Sequence, residues 1–484
     1  MKIATVQRTQ VLLHPDRTRV LLRPFLLARD GRALRICAHI NALSEPEVRA
    51  LWKQVQTEFG ERHAKVQEFL RRRFEQVRAF LPAEQTFSEE RALLIGAYFS
   101  NEYALESAAL FNPSIVPHPD QSDLPPGSLR FVLSLRATGE GHISSITFRT
   151  GFVDAESQVT INAPTRYCLE PEQVPSASYE KRLFERKLQE LGLPGDFSSE
   201  VLRGLGDSFT LEELRMSVTR AAHQFHARNQ APGAVARKIL MLAQSNYEVQ
   251  FAEDSRLSER VLFPTTPSQS NGIEDARFVL FTHEDGTKTY YATYTAYDGK
   301  LTLPQFIETP DFRYFKFITL NGAAVQNKGM ALFPRTIHGR YAMLGRQDHE
   351  NIYVMFSDHL HFWNTAQVLL EPKFPWEFIQ LGNCGSPIET EAGWLVLSHG
   401  VGAMRKYALG AFLLDLENPA KVIGRLREPL ITPNENEREG YVPNVVYSCG
   451  SLLHGRKLII PYAMSDYATS FATLSLDDVL GAME

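Results

Sequence analysis

The chain has 484 residues, of which 44% are apolar and 22% are charged, a balance typical of a folded globular protein rather than a disordered or fibrous one. The formal net charge of −5 lacks the basic excess of a typical nucleic-acid-binding protein. The first residues lack the apolar core of a signal peptide, no apolar run has membrane-spanning length, and the four cysteines include no CxxC pair. We therefore expect a cytoplasmic protein with no nucleic-acid partner, no membrane partner and no structural zinc.

The N-terminal part predicts β-strands followed by helices. Runs rich in strand-forming residues cover Thr18–Leu27 and Leu34–Ile40. Ser44 with Glu47 forms a capping box, which predicts the start of a first helix. Further helices are predicted over roughly 61–81 and from Ser88 toward Asn112.

A period of two then replaces the helical period. Apolar and polar side chains alternate between Leu129 and Arg136, which predicts a strand with one buried face. A helical block interrupts at about 176–245, where Thr210 and Glu213 form another capping box. We interpret this block as an insertion.

From residue 246 the chain is strand-like and repeats in architecture. Segments entered through small or kinking residues begin at residues 272, 327, 385 and 443, and each is followed by two further strands. These 55- to 58-residue spacings are close to the roughly 40 to 50 residues of propeller repeats. An earlier unit around residues 111–148 brings the count to five.

The fold class predicted is therefore all-β: a five-bladed β-propeller with an N-terminal helical extension and a helical insertion. The predicted divisions are a strand and helix extension at 1–90, a helix and first blade at 91–165, the insertion at 166–245, and the remaining blades at 246–484. The first strands of propeller blades converge on one channel, so residues at their ends face a single cavity. The repeat places mixed charges there, which indicates an acid catalyst beside an anion site: Arg136, Glu274, Asp275, Arg277, Lys328, Arg346, His399 and Asp466.

Six ordered blocks carry a family resemblance: Gly272-Ile-Glu-Asp-Ala-Arg277, Tyr294-Thr-Ala-Tyr297, Asn327-Lys328 with Leu332-Phe-Pro334, Gly393-Trp394 with Ser398-His-Gly-Val401, Tyr407-Ala-Leu-Gly410 with Leu414-Asp415, and Gly440-Tyr-Val-Pro-Asn444. They resemble the signature blocks of glycoside hydrolase family 130, which contains β-mannoside phosphorylases and β-mannosidases on five-bladed propellers. The resemblance covers 246–470 well and 111–165 weakly. Alanine 276 stands where the family usually has proline.

The resemblance implies an inverting phosphorolysis of a β-mannosyl disaccharide or oligosaccharide to α-mannose 1-phosphate and a shortened acceptor. Asp275 matches the general acid. The phosphate-binding positions match Arg136, Lys328, Arg346 and His399, and the substrate-binding candidates are Glu274, Arg277, Tyr294, Tyr297 and Asp466. Phosphate is expected as the co-substrate, with no cofactor and no metal. The residues themselves favour this reaction because phosphate is already an anionic nucleophile and needs cations rather than a second carboxylate.

Two further interpretations stay open. An inverting β-mannosidase on the same scaffold requires a base, for which Glu377, Glu389, Glu391 and Glu439 are candidates. A propeller that only binds carbohydrate is the other. His399 could equally be a buried structural histidine that is held by hydrogen bonds. Tyr294 and Tyr297 could equally be side chains that pack between blades. The helical additions are assigned either to homo-oligomer contacts or to walling off the acceptor side.

Overall fold

The computed structural model of the chain describes residues 5–25, 30–82, 84–174, 178–226, 232–299 and 302–484. Its architecture is mostly antiparallel β-sheet, with helices in an N-terminal region and in a second region near the middle of the chain. In these ranges no helix is long and apolar enough to cross a membrane.

The N-terminal region is mainly helical. It contains β1 (Gln7–Leu13), β2 (Val20–Pro24), α1 (Asp30–Asn41), α2 (Glu45–Phe59), α3 (Val66–Val77) and α4 (Glu89–Tyr98). The Ser44 backbone N–H donates to Glu47 Oε2 at 2.8 Å, so the predicted capping box is confirmed. The predicted strand at Leu34–Ile40 is wrong because Ala33, Cys37 and Ile40 form the buried stripe of α1. The last two residues of the run Thr18–Leu27 lie outside the described residues.

Helix α4 ends earlier than the sequence predicts. Ser100 begins β3 (Ser100–Ala104), which pairs with β2. The apolar residues beyond Tyr98 are buried from strand β3, as at Tyr103, or from the turn after it, as at Leu105, rather than from a helix. The apolar residues here fit both the helical period and the strand period, so tertiary packing decides where α4 ends.

The first large set of strands, set 1, is antiparallel in chain order. It comprises β4 (Ala109–Pro117), β5 (Leu129–Thr138), β6 (Ser144–Val153) and β7 (Val159–Ile161). The strand predicted between Leu129 and Arg136 is thus confirmed as part of β5, but both of its faces are buried over residues 131–135.

The second helical region has a core of its own. Its elements are β8 (Glu172–Gln173), β9 (Ser178–Glu180), α5 (Lys181–Glu190), α6 (Asp196–Arg203), β10 (Ser208–Thr210), α7 (Leu211–His226), α8 (Gly233–Gln244) and β11 (Tyr247–Gln250). Sixteen buried apolar residues between Tyr179 and Ala243 form one cluster. The Thr210 N–H donates to Glu213 Oε2 at 2.7 Å, which confirms the second capping box.

Set 2 follows the insertion. After β12 (Val261–Leu262), which pairs with β6, it comprises β13 (Gly272–Thr282), β14 (Lys288–Tyr297), β15 (Thr302–Thr309) and β16 (Tyr314–Thr319). A parallel bridge between Gly272 and Ser144 joins it to β6.

The remaining strands form three antiparallel sets. Set 3 comprises β17 (Ala331–Leu332), β18 (Tyr341–Gly345), β19 (Ile352–Ser357) and β20 (Ala366–Leu370). Set 4 comprises β21 (Gln380–Asn383), β22 (Ile388–Thr390), β23 (Gly393–Val401), β24 (Tyr407–Leu414) and β25 (Val422–Arg425). Set 5 comprises β26 (Val446–Tyr447), β27 (Leu452–His454), β28 (Lys457–Met464), β29 (Ala468–Ser475) and the N-terminal β1, and helix α9 (Leu476–Gly481) follows.

Hydrophobic clusters connect each set to the next. They join set 1 to set 2, set 2 to set 3, set 3 to set 4, set 4 to set 5, and set 5 back to set 1, where Ile459 and Phe471 pack with Ile115 and Phe131. Each set of strands therefore packs against the next in chain order, and the last set packs against the first.

The first strands of sets 4 and 5 are broken rather than continuous. Gly385 has φ of 105°, and a Cβ on it would lie 2.4 Å from the Cys449 carbonyl oxygen. Asn444 has φ of 64° and follows a proline. These segments form loops beside short strands where the sequence predicts whole strands.

Candidate active site

Arg136 and two consecutive carboxylates form the centre of the site. The Arg136 guanidinium lies 2.7 Å from Glu274 Oε1 and 3.4 Å from Asp275 Oδ1. Its Nε also donates to Ser144 Oγ at 2.9 Å, and its guanidinium lies over the Phe111 ring. One cation from set 1 therefore holds two acids from the first strand of set 2.

A β-bulge explains how adjacent residues reach one cation. The register of β13 against β14 shifts between Glu274 and Arg277, and Asp275 has φ of 55°. Neighbouring residues on a regular strand point to opposite faces, as strict alternation predicts for this pair. The left-handed residue cancels that alternation, so both carboxylates face Arg136.

Asn112 supplies a second contact to the same carboxylate. Its Nδ2 donates to Asp275 Oδ1 at 2.6 Å. Left-handed backbone recurs near the starts of several sets, at Asn112, Asp275, Asn327 and Asn444. Such conformations cost of order 1 kcal/mol or more and concentrate where side-chain placement matters. The sequence analysis did not select Asn112, although the repeated asparagine before a kink was available as a signal.

The charge around Asp275 favours its ionised form. Burial alone raises the pKa of the Asp275 carboxyl, but Arg136, Lys328 and the hydrogen bond from Asn112 together hold that pKa below its usual value.

Asp466 behaves in the opposite way. It lies in the left-handed turn after β28, with φ of 50°. Burial and then the neighbouring charge of Asp275 raise the pKa of Asp466 to about 6, against the lowering effects of Arg136 and Lys328. Two acids in one site thus have separated pKa values, an arrangement typical of acid–base chemistry.

A second cluster contains Arg346 and His399. Arg346 is only 6% exposed, and its guanidinium lies 3.3 Å from His399 Nε2. His399 Nδ1 lies 3.7 Å from Cys384 Sγ. Burial, then the charges of Arg346 and Arg277, hold the pKa of His399 well below its usual value, so the imidazole is neutral and accepts from Arg346. In this geometry His399 is a neutral partner of Arg346, and its predicted part in phosphate binding stays a prediction.

Arg277 connects the two clusters at the meeting point of the sets. It donates to the Gly329 carbonyl oxygen at 3.2 Å, to the Asn383 carbonyl oxygen at 2.7 Å, and to the Tyr447 hydroxyl at 2.7 Å. Arg277 is predicted to bind substrate; its hydrogen bonds reach the loop before set 3, the first strand of set 4 and the first strand of set 5. Tyr447, which the sequence analysis did not select, also places its ring 4.8 Å from the His399 ring.

Unlike Arg136, two of the arginines in the site, Arg346 and Arg277, are not neutralised by contact with acids. Among the described residues, neither Arg346 nor Arg277 forms an ion pair within 4.0 Å, and the Nε atoms of both are buried without a hydrogen-bond partner. Lys328 is half-buried beside Asn327, whose Nδ2 donates to the Arg346 carbonyl oxygen at 2.7 Å. Buried, unpaired guanidinium groups favour an anionic ligand.

Neither predicted tyrosine joins these clusters through a described contact. Tyr294 is buried in the core between sets 1 and 2, where its hydroxyl donates to Gln305 Oε1 at 2.7 Å and accepts from Gln269 Nε2 at 2.8 Å. Its predicted contact with a sugar is therefore wrong: the side chain lies on the packed face of β14. Tyr297 is half-buried at the end of the same strand.

Most of the candidate bases for hydrolysis have structural partners. Glu377 is buried, pairs with Arg425 at 2.7 Å and accepts from the Lys373 and Phe374 N–H groups. Glu389 pairs with Arg335 at 2.7 Å, and Glu391 is exposed near Arg456. Glu439 is exposed beside Gly440.

The acidic and histidine-rich residues between 348 and 361 lie in the turns on either side of β19. Asp348 accepts from the N–H groups of Glu350 and Asn351 at 2.9 and 2.8 Å. These bonds outweigh burial and lower the pKa of Asp348 to about 2. Across the described ranges, no group of three or more His, Cys, Asp and Glu side chains is placed to hold a metal.

The sequence profile described as beta-1,4-mannooligosaccharide phosphorylase, that of glycoside hydrolase family 130, matches residues 228–484. The chain belongs to this family. The matched region contains every predicted site residue except Arg136.

Individual family members match over the same part. A 1,2-beta-oligomannan phosphorylase of Thermoanaerobacter sp. is 35% identical over 232 residues, which are 46% of this chain and 75% of that protein. A beta-1,2-mannobiose phosphorylase of Listeria innocua is 29% identical over 231 residues, covering 46% and 63% of the two chains. The solved structure of a Listeria innocua beta-1,2-mannobiose phosphorylase in complex with beta-1,2-mannobiose aligns with a TM-score of 0.47 and 20% identity, over 78% of this chain and 92% of that one.

Proposed function

We propose that the chain is an inverting β-mannoside phosphorylase, which transfers a β-linked mannosyl group to phosphate and yields α-mannose 1-phosphate and a shortened acceptor. The observation that carries the proposal is the pair of buried guanidinium groups, Arg346 and Arg277, whose Nε atoms lack partners close to the Asp275 site. A tetrahedral dianion offers the acceptors that these donors lack.

The proposed scaffold is a five-bladed propeller in which sets 1 to 5 are the blades. Its support is the closed order of hydrophobic clusters and the completion of set 5 by the N-terminal β1, which pairs with β29. Arg277, with hydrogen bonds to sets 3, 4 and 5, marks the proposed axis. This scaffold accounts for why residues hundreds of positions apart share one cavity.

Asp275 is the proposed general acid, and it must carry a proton when the glycosidic bond breaks. Lys328 and Arg277 are among the charges that lower the pKa of Asp275. Phosphate bound to the same cations offsets their field, so the pKa of Asp275 rises when the co-substrate arrives. As the family resemblance implies, the proton then reaches the leaving oxygen through a sugar hydroxyl.

Phosphate attacks the anomeric carbon on the face opposite the leaving sugar, which inverts the configuration. Arg346 and Lys328 hold its oxygens, and His399 keeps the Arg346 guanidinium in place. Arg136 keeps Glu274 and Asp275 together, and Asp466 accepts hydrogen bonds from sugar hydroxyls or donates one when protonated. Hydrolysis receives less support because Glu377 and Glu389 are tied to arginines away from this cluster.

The decisive experiment incubates the protein with β-1,2- and β-1,4-mannobiose, with and without inorganic phosphate, and quantifies mannose 1-phosphate and free sugars. Phosphate-dependent mannose 1-phosphate is the expected product. Free mannose as the sole monosaccharide without phosphate would indicate the β-mannosidase instead, and binding without turnover would indicate a carbohydrate-binding propeller. Prior dialysis against EDTA should leave the rate unchanged, because the protein itself supplies the cations.

Two variants assign the roles. Asp275→Asn keeps the shape but removes the proton donor, so turnover should fall on the order of 10²- to 10⁴-fold. Arg346→Ala should raise the KM for phosphate more than the KM for mannobiose. Glu391→Gln is a matched control because that carboxylate is exposed, and it should leave both constants unchanged. Full turnover by Asp275→Asn would contradict the assignment of the acid.

A further inference from the structure

An exposed tyrosine borders the candidate site. Tyr441 is 67% exposed, although its neighbours are anchored. The Val442 N–H donates to the Ser465 carbonyl oxygen at 3.1 Å, and a Cβ on Gly440 would lie 2.4 Å from that same oxygen. The backbone of Tyr441 therefore runs directly beside Ser465 and Asp466.

The ring of Tyr441 is held from one side. The His142 ring lies 5.5 Å from it, with an angle of 31° between the planes. His142 occupies the turn after β5, the strand that carries Arg136, and has φ of 59°. The segment of Tyr441 adjoins Asp466, and the turn of His142 follows the strand of Arg136. The rings of Tyr441 and His142 together form one aromatic surface that faces solvent.

The stereochemistry of the proposed reaction indicates on which side of the cleaved sugar the leaving sugar lies. In an inverting displacement, the nucleophile and the leaving group lie on opposite faces of the cleaved sugar. The proposed phosphate site lies deep in the protein, because Arg346 is 6% exposed and His399 is 1% exposed. The leaving sugar must therefore lie toward the open side, where Tyr441 is exposed.

We infer that Tyr441, supported by His142, forms the acceptor subsite and stacks on the apolar face of the leaving pyranose. An aromatic face covers the C–H side of a pyranose. The inference rests on the proposed phosphorolysis and assigns residues outside the predicted catalytic set to acceptor recognition.

The test uses the full-length protein in the synthetic direction, with α-mannose 1-phosphate as donor and mannose, β-1,2-mannobiose or β-1,4-mannobiose as acceptor. Tyr441→Ala should raise the acceptor KM about tenfold, while the KM for mannose 1-phosphate stays within about twofold. Tyr441→Phe retains the ring and should keep both constants near the wild-type values. Tyr98→Ala removes an exposed tyrosine from α4, away from the site, and should change neither constant.

An unchanged acceptor KM in Tyr441→Ala, or an equal rise in both constants, would overturn the inference while leaving phosphorolysis intact. If the wild type transfers no mannose at all, the proposed function fails by itself. Saturation-transfer NMR with β-1,2-mannobiose then decides the subsite: a signal that Tyr441→Ala loses and Tyr441→Phe keeps supports it, and an equal signal in all three proteins refutes it.

Discussion

Asn112 Nδ2 donates a 2.6 Å hydrogen bond to Asp275 Oδ1 across 163 positions of sequence. Both residues have left-handed backbone, with φ of 47° and 55°. The contact orients the proposed acid and favours its ionised form, so it acts both on the geometry and on the pKa of the carboxyl.

Asn112→Gly should test this contact without straining the backbone, because glycine adopts a positive φ at no steric cost. Asp275 then loses the contact that orients it, so kcat should fall on the order of tenfold even though the pKa of the carboxyl rises. Steady-state phosphorolysis measures this effect. A kcat equal to that of the wild type would show that Asn112 has no part in orienting Asp275.

Asp466 makes folding stability depend on pH. Its folded-state pKa is raised from 3.8 to about 6, so the folded protein binds the proton more tightly than the unfolded chain does. The stability that this proton contributes is present below about pH 4 and is lost as the pH rises through 6. Asp466→Asn removes the charge, and the variant should be more stable than the wild type by about 1–3 kcal/mol at pH 7.

Thermal unfolding of wild type and Asp466→Asn from pH 3.5 to 7.5 measures this difference. The two curves should converge at the acid end. A constant difference over the whole range would mean that Asp466 does not titrate in this window.

His399 should influence phosphate binding through Arg346 and not through its own charge. His399→Gln retains an acceptor for the Arg346 guanidinium, so the KM for phosphate should stay within about threefold. His399→Leu removes the acceptor and should raise that KM about tenfold. Comparison with the wild type between pH 5.5 and 7.5 should give parallel profiles, since a neutral histidine adds no titration. A step near pH 6.5 that only the wild type shows would restore His399 as a cation.

Glu106 should be important for stability. Its Oε1 accepts from Arg19 Nε at 2.8 Å and from Arg149 at 2.7 Å, and all three side chains are buried. Glu106→Gln leaves two buried guanidinium groups without a counter-charge and should cost about 3–5 kcal/mol of unfolding free energy. Urea unfolding measures this cost. Asp358→Asn, in an exposed pair with Arg340, should cost less than about 1 kcal/mol.

Local signals in the sequence determined much of the secondary structure. The capping boxes at Ser44 and Thr210 and the alternation from Leu129 to Arg136 involve only neighbouring residues, so the sequence predicts them well. The ordered blocks also predicted membership of glycoside hydrolase family 130. The stretch Leu34–Ile40 was predicted wrongly because its apolar residues fit both a strand and the buried stripe of a helix.

Tertiary structure alone decided which side chains of the site meet and what charge they carry. The left-handed residue at Asp275 places Glu274 and Asp275 on one side, which strict alternation forbids. Burial makes His399 neutral, and the packed face of β14 removes Tyr294 from the site. These outcomes depend on backbone conformation and on charges brought from distant positions, and residue order along a strand specifies neither.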